Sequence, residues 1–133
     1  MEKPELTMLG HSETSIPDSP DNATLETFPN QSPGRDYWIK LDCHEFNSLC
    51  PVTGQPDFAK LKIQYIPADS CVETKSLKFY LASYRNTAAF NEVVINRILS
   101  DLVAATNPRE MLVVGEFAPR GGIQLTVEAK HPA

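Results

Sequence analysis

The order of hydrophobic periodicities along the chain is the feature that most limits what it can fold into. Alternating apolar residues at 37–41 and 61–65 come first, two stretches of helical character follow, and two more alternating stretches lie at 111–117 and 123–129. Alternation is typical of half-buried strands, and apolar spacing of three or four residues is typical of helices. The order β-β-α-α-β-β predicts an α+β domain, with an antiparallel sheet and both helices on one face.

The second of the two expected helices has the clearer pattern. We expect it to begin near Asn86 or Thr87, which are acceptable caps, and to end near Asn107, because Pro108 disfavours helix in the residue before it. The first helix is expected over 76–84, where aromatic residues leave the pattern ambiguous. The apolar face of the second helix consists of Val94, Ile95, Ile98, Leu102 and Ala105.

The remaining stretches show no period. Residues 1–35 are rich in Ser, Thr, Pro, Asp and Asn and predict a disordered tail, because such a segment buries too little apolar surface to offset its ordering entropy. The folded domain is then expected over 36–133. Residues 45–57 contain several turn formers and are expected to be irregular. A sheet of four strands has two open edges, which favours a homo-oligomer whose sheets close into a ring-shaped barrel.

Charge and cysteine content exclude several classes of protein. The formal net charge is −5, which argues against nucleic-acid or membrane-surface binding. No apolar run approaches the roughly 20 residues of a membrane span, and the first ten residues carry no secretory h-region. The three cysteines are odd in number and form no CxxC motif. Reduced thiols in a cytoplasmic protein are the expectation.

Four short motifs indicate chemistry that periodicity cannot show. The first, FNSLCPVTGQPDF at residues 46–58, places Cys50 in a turn-rich loop and Asp57 seven residues later. The other three are ETKSLKFY at 73–80, FNE at 90–92 and PRGG at 119–122. Any one of them alone is a weak signal, whereas four in this order are a specific one.

Together these motifs resemble the single-module form of the QueF family, the NADPH-dependent nitrile reductases of queuosine biosynthesis. The resemblance covers roughly residues 36–130. It implies the tunnelling fold (T-fold), with decamers of two stacked pentameric rings and active sites between subunits. It also implies that 7-cyano-7-deazaguanine (preQ0) is reduced to the aminomethyl product (preQ1), with NADPH as cofactor and no metal.

The resemblance implies catalytic roles for Cys50 and Asp57. A thiolate is a soft nucleophile that adds to a nitrile carbon, giving a thioimide that can accept a hydride. Asp57 corresponds to the proton donor for the nitrile nitrogen, and it can first take the thiol proton. Without the motif, the plain alternatives are a loop cysteine without a role and a turn aspartate after Pro56.

Substrate recognition is implied for two other segments. Glu92 corresponds to the carboxylate that accepts the adjacent N–H donors of the deazaguanine edge. The alternative is a solvated glutamate in the first turn of a helix. Asn91 occupies the position where the family usually has histidine, and an amide can hydrogen-bond but cannot titrate. The second contact segment around the base consists of Val72, Glu73 and Thr74.

Lys75, Lys78 and Arg120 are the candidates for binding NADPH, because fixed cations can hold its pyrophosphate and 2′-phosphate. A solvated basic face is the alternative for each lysine. No GxGxxG motif follows a predicted strand, so no Rossmann site is implied.

Three rival functions stay open. The first is a zinc enzyme like the related GTP cyclohydrolases, but Cys43 and His44 are adjacent and would point to opposite faces of a strand. The second is the amidine-forming relative that adds ammonia to the same nitrile, which lacks the lysine-containing run at 75–78. The third is a non-catalytic, ring-forming binder of the same base, made conceivable by Asn91.

Overall fold

The computed structural model describes residues 15–133 and confirms the α+β class. The strands and α-helices are β1 (Thr27–Pro29), β2 (Ile39–Leu49), β3 (Pro56–Ile66), β4 (Ser70–Val72), α1 (Thr74–Ala82), α2 (Asn91–Thr106), β5 (Glu110–Phe117) and β6 (Thr126–His131). Short 3-10 helices cover Pro20–Asn22 and Ser83–Asn86. Strands β2, β3, β5 and β6 form an antiparallel sheet in that order, and β1 pairs antiparallel with β4.

The core lies between one face of the sheet and the two helices. Leu61, Ile63 and Tyr65 of β3 are at most 1 % exposed, as their alternation predicts. They pack in one cluster with the apolar face of α2, including Ile95 and Ile98. Each side chain of this size contributes roughly 1.5–3 kcal/mol by burial. The alternation in β3 and the apolar face of α2 therefore correctly predicted the layer of core between the sheet and the helices.

A glycine lets α2 approach β5 closely. A Cβ atom added at Gly115 would lie 2.5 Å from Cδ1 of Ile95, far inside van der Waals contact. Any larger residue at this position would therefore require the side chain of Ile95 to move out of its present place in the core.

The second helix begins later than predicted. Its first residue is Asn91, because residues 83–86 form a 3-10 turn and Ala88 bridges to Leu49 at the end of β2. Its end at Thr106 agrees with the prediction. Asn107 takes a left-handed conformation with φ of 45°, which ends the helix before Pro108.

The prediction of an irregular stretch over residues 45–57 is wrong. Strand β2 continues through Leu49, and β3 already starts at Pro56. Only residues 50–55 form the connection, so the two strands make one long hairpin. The alternation breaks near residue 44 because the strand contains a bulge between Cys43 and Phe46.

The predicted tail is also wrong for the part of residues 1–35 that the structure describes. Residues 27–29 form β1, and Asn30 is buried, with its Nδ2 donating to the carbonyl of Ala68 at 2.7 Å. Asp21 makes an ion pair with Arg97 of α2 at 2.6 Å. Residues 1–14 lie outside the described residues. The folded unit therefore includes residues well before 36.

Strands β2 and β6 each border the four-stranded sheet on one side only, so both edges of this sheet are open within the described chain. None of the helices in residues 15–133 combines the length and the apolar character needed to cross a membrane.

Candidate active site

The bulge in β2 decides which way the predicted nucleophile points. Before the bulge, Cys43 lies opposite Leu61, and after it Phe46 lies opposite Ala59, so β2 contains one extra residue. Side chains alternate between faces along a strand. The extra residue therefore moves Phe46, Ser48 and the following Cys50 onto the face that the helices cover. Without it, Cys50 would project from the opposite face.

Asp57 shares that face. It pairs with Ser48 across the hairpin, and Ala59 and Leu61, two and four residues further along β3, are buried under the helices. Directly paired residues of antiparallel strands carry their Cβ atoms roughly 4.5–5.5 Å apart on the same side. The hairpin thus brings the sequence-predicted pair, Cys50 and Asp57, to one end of the same face.

The connection after β2 wraps around the thiol. The amide of Cys50 donates to the carbonyl of Gln55 at 2.8 Å, and the amide of Gly54 donates to the carbonyl of Cys50 at 2.9 Å. Gly54 has a φ of 72°, which favours glycine at this position. This closed turn directs the hydroxyl and amide of Thr53 and the amide of Val52 at the Cys50 sulfur, and these hydrogen bonds lower the pKa of the thiol. The arrangement favours the thiolate form of Cys50, the form that a nucleophile requires.

Arg120 lies against Asp57 and not beside the two lysines with which the sequence grouped it. Its Nη2 is 2.8 Å from Oδ1 of Asp57, whose side chain is only 12 % exposed. The same nitrogen donates to the carbonyl of Pro56 at 2.7 Å, and Nη1 reaches Oε1 of Gln55 at 3.4 Å. Arg120 therefore ties the loop before β6 to the start of β3.

Backbone hydrogen bonds join the end of β2 to the segment that leads into the predicted base-binding residues Asn91 and Glu92. The amide of Leu49 donates to the carbonyl of Thr87 at 2.9 Å, and the amide of Ala89 donates back to Leu49 at 3.1 Å. Helix α2 then starts at Asn91, whose buried Oδ1 has no hydrogen-bond partner within residues 15–133. Glu92 is exposed in the first turn. We call residues 48–57, 91, 92 and 120 the Cys50 end of the site.

The third predicted segment is built differently. Glu73 caps helix α1, because its carboxylate accepts from the amides of Lys75 and Ser76 at 2.7 Å each. These hydrogen bonds lower the pKa of Glu73. Of its neighbours, Val72 is buried and Thr74 is exposed. The carboxylate predicted to contact the base thus also holds the first turn of a helix.

The chain segment before β2 supports this turn. The amide of Glu73 donates to the carbonyl of Glu26 at 2.8 Å, and the amide of Glu26 donates to Oγ of Ser76 at 3.0 Å. A cavity of about 400 Å³ lies here, lined on one side by Glu73 and Lys75 and on the other by residues 15–26. We call residues 72–78, together with residues 20–30, the Lys75 end of the site.

The two lysines are exposed and available for anions. Neither Lys75 nor Lys78 makes an ion pair within the described chain. Lys78 lines a cavity of about 540 Å³ together with residues 41–45 of β2. Those residues precede Cys50 by five to nine positions, or roughly 15–30 Å along a strand. Lys78 therefore borders the part of β2 that lies before the bulge, at the other end of the strand from Cys50.

The sequence analysis did not single out Ser48, which lies opposite Asp57, or Thr53, which hydrogen-bonds to Cys50. Both lie inside the first motif, but the position of Ser48 can be recognised only once β2 is known to run through Leu49. Its spacing of two from Cys50 is the signal that a strand prediction would have provided. Thr53 is exposed in a turn, where hydroxyl residues are common.

No group of three or more His, Cys, Asp or Glu side chains among residues 15–133 is arranged to hold a metal ion. The zinc site considered for Cys43, His44 and Cys50 has no counterpart in this part of the chain.

Comparison with known proteins decides the family. The family model described as "QueF-like protein" matches residues 56–133. The chain belongs to the QueF-like family. A protein of Anaeromyxobacter sp. (strain K), named NADPH-dependent 7-cyano-7-deazaguanine reductase, is 57% identical over 107 residues, covering 80% of this chain and 88% of that protein.

Two further relatives in other bacteria carry the same name. The protein from Halorhodospira halophila is 57% identical over 108 residues, covering 81% of this chain and 92% of its own length. The protein from Streptococcus thermophilus (strain CNRZ 1066) is 52% identical over 124 residues, covering 93% of this chain and 76% of its own. Family membership therefore rests on most of this chain's length.

A solved structure agrees at the level of the fold. The crystal structure of the archaeosine synthase QueF-Like in the apo form superposes with a TM-score of 0.66, covering 70% of this chain and 91% of that one. At 24% sequence identity, this likeness concerns the fold alone. It agrees with the predicted T-fold arrangement of an antiparallel sheet and two helices.

Proposed function

We propose that this protein reduces the nitrile of 7-cyano-7-deazaguanine to an aminomethyl group, using NADPH and a thioimide intermediate on Cys50. The carrying observation is the Cys50 thiol itself. Within a QueF-like chain, it is surrounded by hydrogen-bond donors that lower its pKa, and it shares one face of a hairpin with Asp57. Relatives that are 52–57% identical to this protein are named as NADPH-dependent 7-cyano-7-deazaguanine reductases.

The first step is addition of the thiolate to the nitrile. Sulfur forms a bond to the nitrile carbon, one C–N π bond breaks, and its electron pair takes a proton at nitrogen. Asp57 is placed to receive the thiol proton and to deliver it to that nitrogen. The product is a thioimide joined to Cys50. No net oxidation or reduction has occurred at this stage.

Reduction follows in two equal parts. NADPH supplies one hydride per molecule, so a nitrile-to-amine change of four electrons requires two molecules. After the first hydride reaches carbon, the C–S bond breaks, the thiolate of Cys50 is regenerated and an imine is left. The second hydride and a proton complete the amine. The site must exclude water while the imine is present, because water would convert it to an aldehyde.

Residues around the base provide recognition. Glu92 is free of ion pairs within residues 15–133 and can accept the two adjacent N–H groups of the deazaguanine edge. The unpartnered Oδ1 of Asn91 offers a further acceptor next to it. Because Asn91 cannot titrate, proton transfer in this chain falls to Asp57 and not to a side chain at position 91.

Lys75 and Lys78 fit a cofactor with several phosphates. Both are exposed, both border a cavity, and both lack an anionic partner in the described chain. Arg120 becomes available only if it leaves Asp57. A reductase needs such cations and an amidine-forming enzyme does not, so the lysines favour reduction over addition of ammonia.

We also propose that a complete site needs two copies of the chain. Lys78 borders residues 41–45, at the other end of β2 from Cys50, yet the reaction needs both the thiol and the cofactor-binding lysines. The open edges of β2 and β6 allow neighbouring sheets to join, as in a ring of subunits, with two pentamers stacked as a decamer.

The decisive experiment measures stoichiometry. Purified protein mixed with 7-cyano-7-deazaguanine and NADPH should oxidise two NADPH for each aminomethyl product, with no aldehyde detected by mass spectrometry. A ratio near one, or substantial aldehyde, would contradict the mechanism. Ammonia-dependent product without NADPH oxidation would instead support the amidine-forming alternative. Substrate binding without turnover would indicate a non-catalytic binder.

A further inference from the structure

Ser48 is the side chain at the Cys50 end that the mechanism above leaves unused. It is fully buried, at 0 % exposure, and its hydroxyl has no hydrogen-bond partner among residues 15–133. Buried hydroxyl groups are normally paired, because leaving one unpaired costs stability. An unpaired one therefore requires an explanation. The only other buried side-chain oxygen in this condition in the described chain belongs to Asn91, also at the Cys50 end.

The sheet register shows what Ser48 faces. It stands directly opposite Asp57 across the hairpin and two residues before Cys50. After the bulge, all three side chains lie on the helix-covered face, and the Cβ atoms of Ser48 and Asp57 are expected roughly 4.5–5.5 Å apart. A rotation about the single side-chain torsion of Ser48 can therefore bring its hydroxyl to the Asp57 carboxyl group.

Asp57 has room for a second partner. Arg120 binds Oδ1 at 2.8 Å, and Oδ2 makes no ion pair in the described chain. A guanidinium group only donates hydrogen bonds, so it suits the ionised carboxylate. A hydroxyl both donates and accepts. Once its side chain has rotated towards Asp57, Ser48 can therefore be bonded to the carboxyl group both before and after that group takes the thiol proton, which Arg120 cannot do.

We propose that Ser48 is a positioning residue for Asp57, whose hydroxyl holds Oδ2 between the Cys50 sulfur and the substrate nitrile during proton transfer. The inference rests on the proposed function. Ser48 does not contact the substrate in this proposal. Its hydroxyl keeps the Asp57 carboxyl group oriented while the ion pair between Arg120 and Asp57 weakens.

The test separates positioning from packing. Ser48→Ala and wild type are each mixed with 7-cyano-7-deazaguanine without NADPH, and the covalent adduct is followed by intact-mass spectrometry. Ser48→Ala should slow adduct formation on the order of ten- to a hundredfold, the loss expected for one hydrogen bond to a charged group. Its thermal midpoint should stay the same or rise, because the substitution removes an unpaired buried hydroxyl.

Ser83→Ala is the matched control. Ser83 is equally buried, at 0 % exposure, but its hydroxyl already has a partner, because it donates to the carbonyl of Tyr80 in α1. This variant should lose thermal stability and keep the wild-type adduct rate. Ser48→Thr retains a hydroxyl and should restore much of the rate lost in Ser48→Ala.

The outcomes are distinct. A wild-type rate in Ser48→Ala overturns the inference, and so does a slow rate that comes with a thermal loss like that of Ser83→Ala. If wild type itself forms no adduct and oxidises no NADPH, the proposed function fails, independently of Ser48.

Discussion

The two ends of the site are held by different kinds of structure. At the Cys50 end, the sulfur, Ser48 and Asp57 are fixed by one continuous hairpin, whose register leaves no freedom to slide. At the Lys75 end, the first turn of α1 depends on a partner about 50 residues earlier in the chain, through the two backbone contacts of Glu26. The proposed chemistry thus belongs to the sheet, whereas the proposed anion binding belongs to a helix turn that an earlier segment of the chain supports.

Because the two ends are held differently, we expect substitutions and deletions at each end to affect different steps of the reaction. Changes in the hairpin should act on adduct formation, which needs only the thiol, the acid and the substrate. Changes in residues 20–30 should act on the reductive half of the reaction, which needs the cofactor. The adduct assay without NADPH and the NADPH oxidation assay measure the two ends separately.

The largest effect is expected for the nucleophile. Cys50→Ala should form no adduct and should oxidise no NADPH. It should still bind substrate through Glu92, which calorimetry would detect. Asp57→Asn keeps the thiol but loses the proton carrier. It should slow adduct formation on the order of 10²–10⁴-fold, the range typical of general acid–base catalysis.

Two other thiols serve as controls for that experiment. Cys43 is partly buried, which raises the pKa of its thiol, and Cys71 is buried. Cys43→Ala and Cys71→Ala should both retain the adduct. An adduct that persists in Cys50→Ala, or that maps to Cys43 or Cys71 after digestion, would show that the nucleophile is assigned wrongly.

An intermediate effect is expected at Thr53. Its hydroxyl is the first cause of the lowered pKa of Cys50, and thiolate therefore forms at lower pH than in an ordinary cysteine. Thr53→Val removes the hydroxyl and keeps the shape, so the pKa should rise and the midpoint of the alkylation rate against pH should move to higher pH. At neutral pH the thiolate fraction, and with it the adduct rate, should fall a few-fold.

Thr53→Ser keeps the hydroxyl and is the control. Its pH profile should overlay that of wild type. An unshifted profile in Thr53→Val would mean that the backbone amides of Val52 and Thr53 alone set the pKa of Cys50. The hairpin would then tolerate side-chain change in its turn better than we expect.

The sequence predicted the central layer correctly because each buried strand carries its own alternation. Leu61, Ile63 and Tyr65 show it without reference to any other segment. The bulge in β2 could not be predicted in this way, because the extra residue is defined only by the partner strand. The loss of alternation near His44 marks a change of face, whereas the turn formers at Pro51, Gly54 and Pro56 favour an irregular stretch in the sequence.

The segment before β2 was missed for a related reason. It attaches partly through its backbone, as in the hydrogen bond from the amide of Asn30 to the carbonyl of Asp69 at 2.9 Å, and partly through polar side chains such as Asp21. Neither kind of contact leaves a hydrophobic period in the sequence. Its exposed strand residues, such as Phe28 at 49 %, also bury too little to be recognised.

The site shows the same division. Cys50, Asp57 and Glu92 could be proposed from motif resemblance, and the structure brings the first two together. The pairing of Arg120 with Asp57 could not be foreseen, since about 60 residues separate them and only the sheet joins them. Ser48 needed both the strand assignment and the register before its position had any meaning.

The smallest effect on thiol chemistry is expected from shortening the N-terminus. Deleting residues 1–32 removes β1 and the Glu26 contacts, so the first turn of α1 should loosen and NADPH should bind several-fold more weakly. The thermal midpoint should fall as well, because Val72 and Cys71 lose their covering strand. The adduct rate without NADPH should stay close to that of wild type, because the hairpin is unchanged.

Deleting only residues 1–14 is the control and should alter neither assay. If the longer deletion slows adduct formation as strongly as it weakens NADPH binding, the two ends are coupled within one chain, and the separation drawn here between hairpin and supported turn is wrong.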